Sequence, residues 1–362
     1  MNYRERFLNT LNHENVDRPP YDLCGTELTG LAPGVIKKLA DYLKITAGDE
    51  SEALEKIQKR LDIDFRVVGT VFSPESEHNS SSESRPGEFV DSWGITRKFT
   101  GTYWDISKYP LCDLSFDDIK QYKWPSVTGI SKDEIYRLKE KAKRLYYDTD
   151  YVVVGGHPVF GYFELGCWMF SFDDFLYRML GEPETVEWFF ENYHQYVRDV
   201  IELYYGAIGE YIHVTTSGDD FGMQTGPFMS AELFGEAIVP WYKKRIKMTK
   251  EYTNAAYFHH TCGSVYRLLE QIIGMGVDVL NPVQPGCFEM EPERLKNEFG
   301  DKIVFWGAID EQNILSHGTA QDVRKEVARV KKILNQNGGY VLAPSHNVQI
   351  DVPMENIAAM FE

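Results

Sequence analysis

Eight times along this chain a short apolar run ends in polar or glycine residues, and most of these runs are followed by a stretch with helical periodicity. The runs fall at 20–25, 64–69, 151–157, 211–220, 256–263, 277–282, 303–310 and 339–346. Helical spacing is plain at 32–44, 131–147, 230–253, 264–275, 292–299 and 319–336. Strand alternating with helix marks an α/β fold with a parallel sheet, and eight repeats favour a closed (β/α)8 TIM barrel over an open sheet. No strand is followed by GxGxxG, and no GxxxxGK[ST] occurs, so the usual nucleotide loops are missing. The exception to the repeat is 70–110. Residues 78–88 read as a polar loop, and the alternating EFVDSWGITRKFTGTYWDI reads as a β-hairpin inserted after strand 2. Residues 1–20 read as an N-terminal amphipathic helix with Phe7, Leu8 and Leu11 as its apolar stripe, ended by Arg18-Pro19-Pro20. No linker divides the chain, so residues 1–362 read as one domain. Residues 353–362 start a helix that stops abruptly, either a short last helix or a trimmed chain.

Charge narrows the partners. Fifty-five acids against 38 bases give a net charge of −17. Such a surface repels phosphate backbones and anionic lipid, so neither nucleic acid nor membrane is an expected partner. A small-molecule substrate stays open. No apolar stretch reaches spanning length, and the N-terminus lacks the basic-then-apolar plan of a signal peptide. Five scattered cysteines (24, 112, 167, 262 and 287) do not form a disulfide framework, and a cytoplasmic, reduced protein is expected.

Active sites of such barrels lie at the C-terminal ends of the strands. The polar residues there are Glu27, His157, Asp219, Asp220, His260, Cys262, Gln284, Asp310 and His346. In His260-Thr261-Cys262 the first and third side chains share one strand face, while His259 and Thr261 face the helices. Imidazole and thiolate are both good zinc ligands, held about 2.0–2.3 Å from the metal. His346, ending strand 8, is the expected third ligand, with Cys287 the second choice. Three protein ligands would leave a fourth position open for chemistry. A buried His-x-Cys pair is equally at home in a core. In Ser217-Gly218-Asp219-Asp220 one carboxylate is expected to face the cavity, to hold a substrate or move a proton, and the other to cap the helix that follows or bind a loop. Gly222 and Gly226 mark close backbone approach or a bend. Asp310 either orients a metal-bound histidine or caps a helix near 311–316, the cap being favoured. Gln284 and Asn281 suit a polar substrate group or a backbone end. His157 fits a satisfied structural histidine better than a ligand, yet stands with Glu27, Gln284 and Asp310 among the candidate substrate contacts. Phe160, Phe221 and Trp306 are expected near the mouth.

The segments ERFLNTLNHENVDRPP, HHTCGSV, NPVQP, FWGAIDEQNIL and GGYVLAPSHNVQIDVPMENI resemble the uroporphyrinogen decarboxylase superfamily, over nearly the whole chain apart from 70–110. The superfamily is a (β/α)8 barrel. Its true decarboxylases hold porphyrinogen carboxylates with an arginine-rich segment of the type R-Q-A-G-R-Y after strand 1. Here the matching Asp22–Thr29 has no arginine and carries Glu27. The acid that branch uses lies near the end of strand 2, where Asp62 or Asp64 falls. The other branch contains zinc-dependent methyltransferases that work with corrinoid proteins. Its H-x-C maps onto His260 and Cys262, and its third ligand, a cysteine, falls at or beside His346.

The resemblance implies a zinc-dependent methyltransferase that exchanges a methyl group between a small substrate (a methoxyaromatic, a methylamine or a thiol) and a corrinoid (cobalamin) carried by a partner protein. Zinc would act as a Lewis acid, with Asp219 or Asp220 moving a proton or orienting substrate. One alternative is a metal-free decarboxylase of a porphyrinogen or related acid. Another is a non-catalytic barrel that binds a corrinoid or tetrapyrrole.

Overall fold

In chain order the strands are β1 (Phe65–Val67), β2 (Glu88–Val90), β3 (Thr96–Phe99), β4 (Trp104–Lys108), β5 (Val152–Val154), β6 (Val214–Gly218), β7 (Gly222–Met223), β8 (Gly226–Pro227), β9 (Ala256–His260), β10 (Val279–Val283), β11 (Val304–Ile309) and β12 (Tyr340–Pro344). The computed structural model describes residues 1–70, 87–101, 104–127 and 130–362. Seven strands form one curled parallel sheet in the order β1-β5-β6-β9-β10-β11-β12. Residues of β5, β6, β9, β10, β11 and β12 are buried throughout, as expected of strands covered on both faces.

The first apolar run closes the ring as a single bridge, Tyr21 to Leu342, in place of a full strand. Asp22 N–H donates to the Leu342 carbonyl at 2.9 Å, and Leu342 N–H to the Pro20 carbonyl at 2.9 Å. On the other side Asp64 N–H donates to the Tyr21 carbonyl at 2.9 Å. Pro20 has no N–H to give, which fits a short closing segment better than a ladder. The eight expected runs therefore all take part in a (β/α)8 barrel.

Inside the ring Phe65, Val152, Val154, Val214, Phe258, Val279, Val304, Trp306 and Val341 pack in one cluster with Phe7. Phe7 comes from the N-terminal helix Tyr3–Leu11, and its ring meets Phe65 edge-on at 5.3 Å and Trp306 at 6.2 Å. That helix closes the end of the barrel where the strands begin. Its expected stripe is corrected in one respect: Phe7 lies in the barrel cluster and Leu11 packs against it, but Leu8 is exposed. Arg6 and Arg18 donate to Asp64 at 2.6 and 2.7 Å, pinning the helix and its exit to the start of β1. Asp62 and Asp64 therefore stand where β1 begins, not at the catalytic ends where the decarboxylase comparison would need an acid.

The insertion after the second barrel strand is a three-stranded antiparallel sheet, β2-β3-β4. The β2–β3 pair is the expected hairpin and β4 adds a third strand. The expected loop at 78–88 lies, up to residue 86, outside the described residues. The segment 230–253 divides into helices Ala231–Ala237 and Val239–Tyr252, and Met354–Ala359 is a short last helix. Three helices, Tyr162–Phe170, Phe172–Gly181 and Pro183–Ile208, lie between β5 and β6. Their aromatic density blurs the apolar stripe that would have marked them in the sequence.

Candidate metal centre

His260 is the last residue of β9 and is buried. Its Nδ1 lies 2.6 Å from Oδ1 of Asn281 on the neighbouring strand β10. The Asn281 amide nitrogen donates to the Trp306 carbonyl at 3.3 Å, so its oxygen is the atom left to face the imidazole. An acceptor opposite Nδ1 places the imidazole proton there and leaves the Nε2 lone pair free. Burial lowers the His260 pKa, with His346 adding to the effect against Asp220, so the ring is held neutral.

Nε2 faces Cys262, whose Sγ is 3.2 Å away. The backbone leaves β9 at Thr261, whose Oγ1 accepts the Phe221 N–H at 3.0 Å. Gly263 has φ +81 and packs on the Gly222 backbone. A Cβ on Gly222 would come within 2.7 Å of the Ser264 carbonyl, so the two glycines let the loops of β6 and β9 touch. That contact turns Cys262 back over His260. Cys262 N–H also donates to Asp220 Oδ1 at 2.7 Å. Burial, and then Asp220, push the thiol pKa up.

His346 follows β12. Asn347 Oδ1 accepts the Gly30 N–H, and Val348 pairs with Leu31, so the loops after Tyr21 and after β12 are laced together. Their anchoring brings the His346 ring within 6.0 Å of the His260 ring, centroid to centroid. One ligand-type atom from each of His260, Cys262 and His346 lies within 4.8 Å of the other two. Among the described residues this is the group of three or more such side chains close enough to share an ion. Two imidazoles and one thiol match the ligand preferences of zinc, and one imidazole already has its tautomer held by a neighbour. Cys287, the second choice, does not join this group. It is buried beside Gln284, Sγ 3.7 Å from the amide oxygen, and lines the same cavity of about 410 Å³ as Cys262 and His346.

The paired acids are divided as the alternation of an extended chain requires. Asp219 is buried and accepts the N–H groups of Phe163 at 2.9 Å and Glu164 at 2.7 Å and the Tyr242 hydroxyl at 2.9 Å. It caps not the helix that follows, as expected, but the earlier helix Tyr162–Phe170, which starts at Gly161, a residue with no side chain of its own to do so. A Cβ on Gly161 would collide with the Asp219 carboxyl. Burial pushes Asp219 up to about 7 against these donors. Asp220 is the acid beside the centre, 4.0 Å from His260 Nε2.

Asp310 accepts the N–H groups of Gln312 and Asn313 at 2.8 and 3.2 Å, the arrangement of a helix cap, and lines the cavity with Gln284. Gln284 Oε1 accepts the Gly263 N–H at 2.5 Å and so braces the Cys262 loop. Glu27 accepts the His157 N–H at 2.7 Å. His157 sits beside Gly218, its Nδ1 is buried without a hydrogen-bond partner, and burial lowers its pKa to about 3. Two expected mouth aromatics are elsewhere. Trp306 is in the barrel core, its Nε1 donating to Asp22 at 2.8 Å, and Phe221 is buried against His259 and Phe234. Phe160 is half-buried against Trp168. One acid was not foreseen. Glu164 stands one turn before Trp168, and desolvation with Asp220 raises its carboxyl well above the ordinary value. Its helix went unrecognised in the sequence, so nothing marked it as facing the strand ends.

The uroporphyrinogen decarboxylase (URO-D) family model matches residues 115–362, more than half of the chain. The chain belongs to the URO-D family. Among solved structures, this URO-D-family chain is similar to a methyltransferase from Methanosarcina mazei, with TM-score 0.68 and 16% identity over 99% of this chain and 97% of that one. At that identity the likeness speaks for the fold. A xylanase, XylE of Penicillium canescens, aligns with TM-score 0.35 and 8% identity over 66% of this chain and 82% of its own, a likeness too slight to weigh. No curated protein sequence matches significantly.

Proposed function

We propose that this URO-D-family chain is a zinc-dependent methyltransferase that moves a methyl group between a small substrate and a corrinoid held by a partner protein. The observation that carries the reading is the convergence of His260, Cys262 and His346 within 4.8 Å at the ends of barrel strands, with the His260 tautomer held by Asn281. Zinc bound there would polarise the oxygen, nitrogen or sulfur that bears the methyl group.

The chain's own residues supply the remainder. Asn281 keeps the His260 Nε2 lone pair turned to the centre. Gln284 and Asp220 hold the Cys262 backbone through the N–H groups of Gly263 and Cys262. Asp220, the acid nearest the centre, is placed to take or return the proton of the demethylated or methylated atom. Asp219 keeps the helix that carries Glu164 in place. Gln284 and Asp310 line the cavity beside the centre as substrate contacts, and Glu27 and His157, joined by a hydrogen bond, are the further candidates.

The decarboxylase alternative needs several cations for a polycarboxylate. The loop after Tyr21 offers Glu27 and no arginine. The test is methyl transfer to cob(I)alamin from methoxyaromatics, methylamines and methylthiols. Zinc-loaded protein should turn over at least one class, and Cys262→Ala should lose at least 100-fold in rate. Turnover of a porphyrinogen without metal, and of none of the methyl donors, would sink the reading.

A further inference from the structure

Two guanidinium nitrogens among the described residues are buried with no hydrogen-bond partner, Nη2 of Arg66 and Nη2 of Arg97. Arg66 belongs to the beginning of the barrel, where its Nη1 donates to the carbonyls of Ile63 and Phe65. Arg97 belongs to the other end. It lies on β3 of the insertion, and that insertion leaves the barrel from the C-terminal end of β1, the catalytic face.

Arg97 is 9% exposed. Its Nε donates to Asp91 Oδ2 at 3.1 Å, while Asp91 Oδ1 accepts the N–H groups of Trp93 and Ile95 at 3.0 Å each. The guanidinium carbon lies 5.0 Å over the Trp168 ring. Trp168 is one helical turn after Glu164 and packs edge-on against Phe160 at 4.9 Å. The positive field of Arg97 reaches Glu164, which also feels Asp220 beside the metal-ligand group. A cation fixed by one hydrogen bond and one aromatic face thus keeps a donor in reserve, on a guanidinium whose field reaches Glu164. A buried N–H left unpaired is destabilising, so a ligand that supplies the acceptor is favoured.

We propose that Arg97 is the anchor for a single carboxylate on the substrate, whose ring or chain lies along Trp168 and Phe160. The chemical class follows from counting charge. One guanidinium, already shared with Asp91, offsets one negative charge, and the groups its field reaches, Glu164 and beyond it Asp220, are acids that supply no second cation. A polycarboxylate would be repelled, and a neutral ether would leave Nη2 unpaired. The proposal takes its site from the methyltransferase reading but not its test, because carboxylate binding requires neither zinc nor a corrinoid.

The test is calorimetric binding of 4-methoxybenzoate, its neutral methyl ester and inorganic phosphate to the full chain and to R97M and D91N, each checked by thermal melt. The natural chain should bind the carboxylate at least tenfold tighter than the ester or phosphate. R97M should lose that preference and leave ester binding unchanged. D91N, which frees the guanidinium from its partner, should bind the carboxylate more tightly. A purely structural Arg97–Asp91 pair predicts that both variants weaken every ligand alike. That result, or no carboxylate preference in the natural chain, overturns the proposal. If the preference tracks Arg97 while zinc and methyl transfer are absent, the anchor stands and the proposed reaction falls.

Discussion

At His260 one proton settles whether the imidazole can bind a metal. The Trp306 carbonyl orients the Asn281 amide, the amide oxygen holds the proton on Nδ1, and Nε2 is left as a lone pair beside Cys262. Removing the clamp leaves the ligand but not its orientation. Asn281→Ala should weaken zinc affinity about 10–100-fold. Asn281→Asp, which keeps an acceptor opposite Nδ1, should restore most of it. Competition with a chromophoric chelator measures both, and equal affinities in all three proteins would show the clamp to be idle. The pair His260 and Cys262 was legible in the sequence because a strand's period of two puts them on one face. Asn281 was visible only as a polar residue, since its role depends on a carbonyl contributed by a different strand. Glu164 and Arg97 were not visible as site residues at all. One lies on an unrecognised helix and the other on an insertion whose docking no local pattern reveals.

At the scale of elements, the N-terminal helix is a plug. Phe7 is fully buried among Phe65 and Trp306. Phe7→Ala should cost about 3–5 kcal/mol, the range for truncating a buried phenylalanine, while Leu8→Ala on the exposed face should change stability little. Thermal melts of the two variants check this, and equal losses would contradict the plug. Helix Tyr162–Phe170 depends on an acid from a different loop. Asp219→Ala removes its cap and leaves two N–H groups buried, a loss of about 1–3 kcal/mol. Slower turnover with unaltered zinc content should accompany it, because the helix that carries Glu164 would shift. The barrel strands were legible because runs buried on both faces are continuous and apolar. The closing segment was legible as a run but not as a one-residue bridge. The helices between β5 and β6 were not legible, since nearly every turn of Pro183–Ile208 carries a large aromatic or aliphatic residue on more than one side.

Across the whole molecule, burial holds several histidines neutral. His157 is lowered to about 3, and His194 and His213 to about 4, from an ordinary 6.5. Below pH 6.5 the unfolded chain takes up protons that the folded chain refuses. The stability tied to these groups is therefore complete above about pH 6.5 and is lost as pH falls toward 4. Asp22, raised to about 6, works in the opposite sense, because its folded form keeps a proton that the unfolded chain releases. Replacing both His194 and His213 by Gln should shrink the drop in Tm between pH 6.5 and 4.5. An unchanged drop would mean these rings titrate alike in both states. The candidate metal centre joins the ends of β9 and β12 through loops tied to β6, β10 and the closing segment, so its assembly depends on the closed ring. The most direct measurement is the zinc content of the purified chain and of its His260→Ala, Cys262→Ala and His346→Ala variants by elemental analysis, after dialysis against a weak chelator. About one zinc per chain, lost in each variant while the fold survives, is the predicted result. A natural chain free of zinc after zinc has been supplied, or zinc retained when Cys262 is removed, would contradict it.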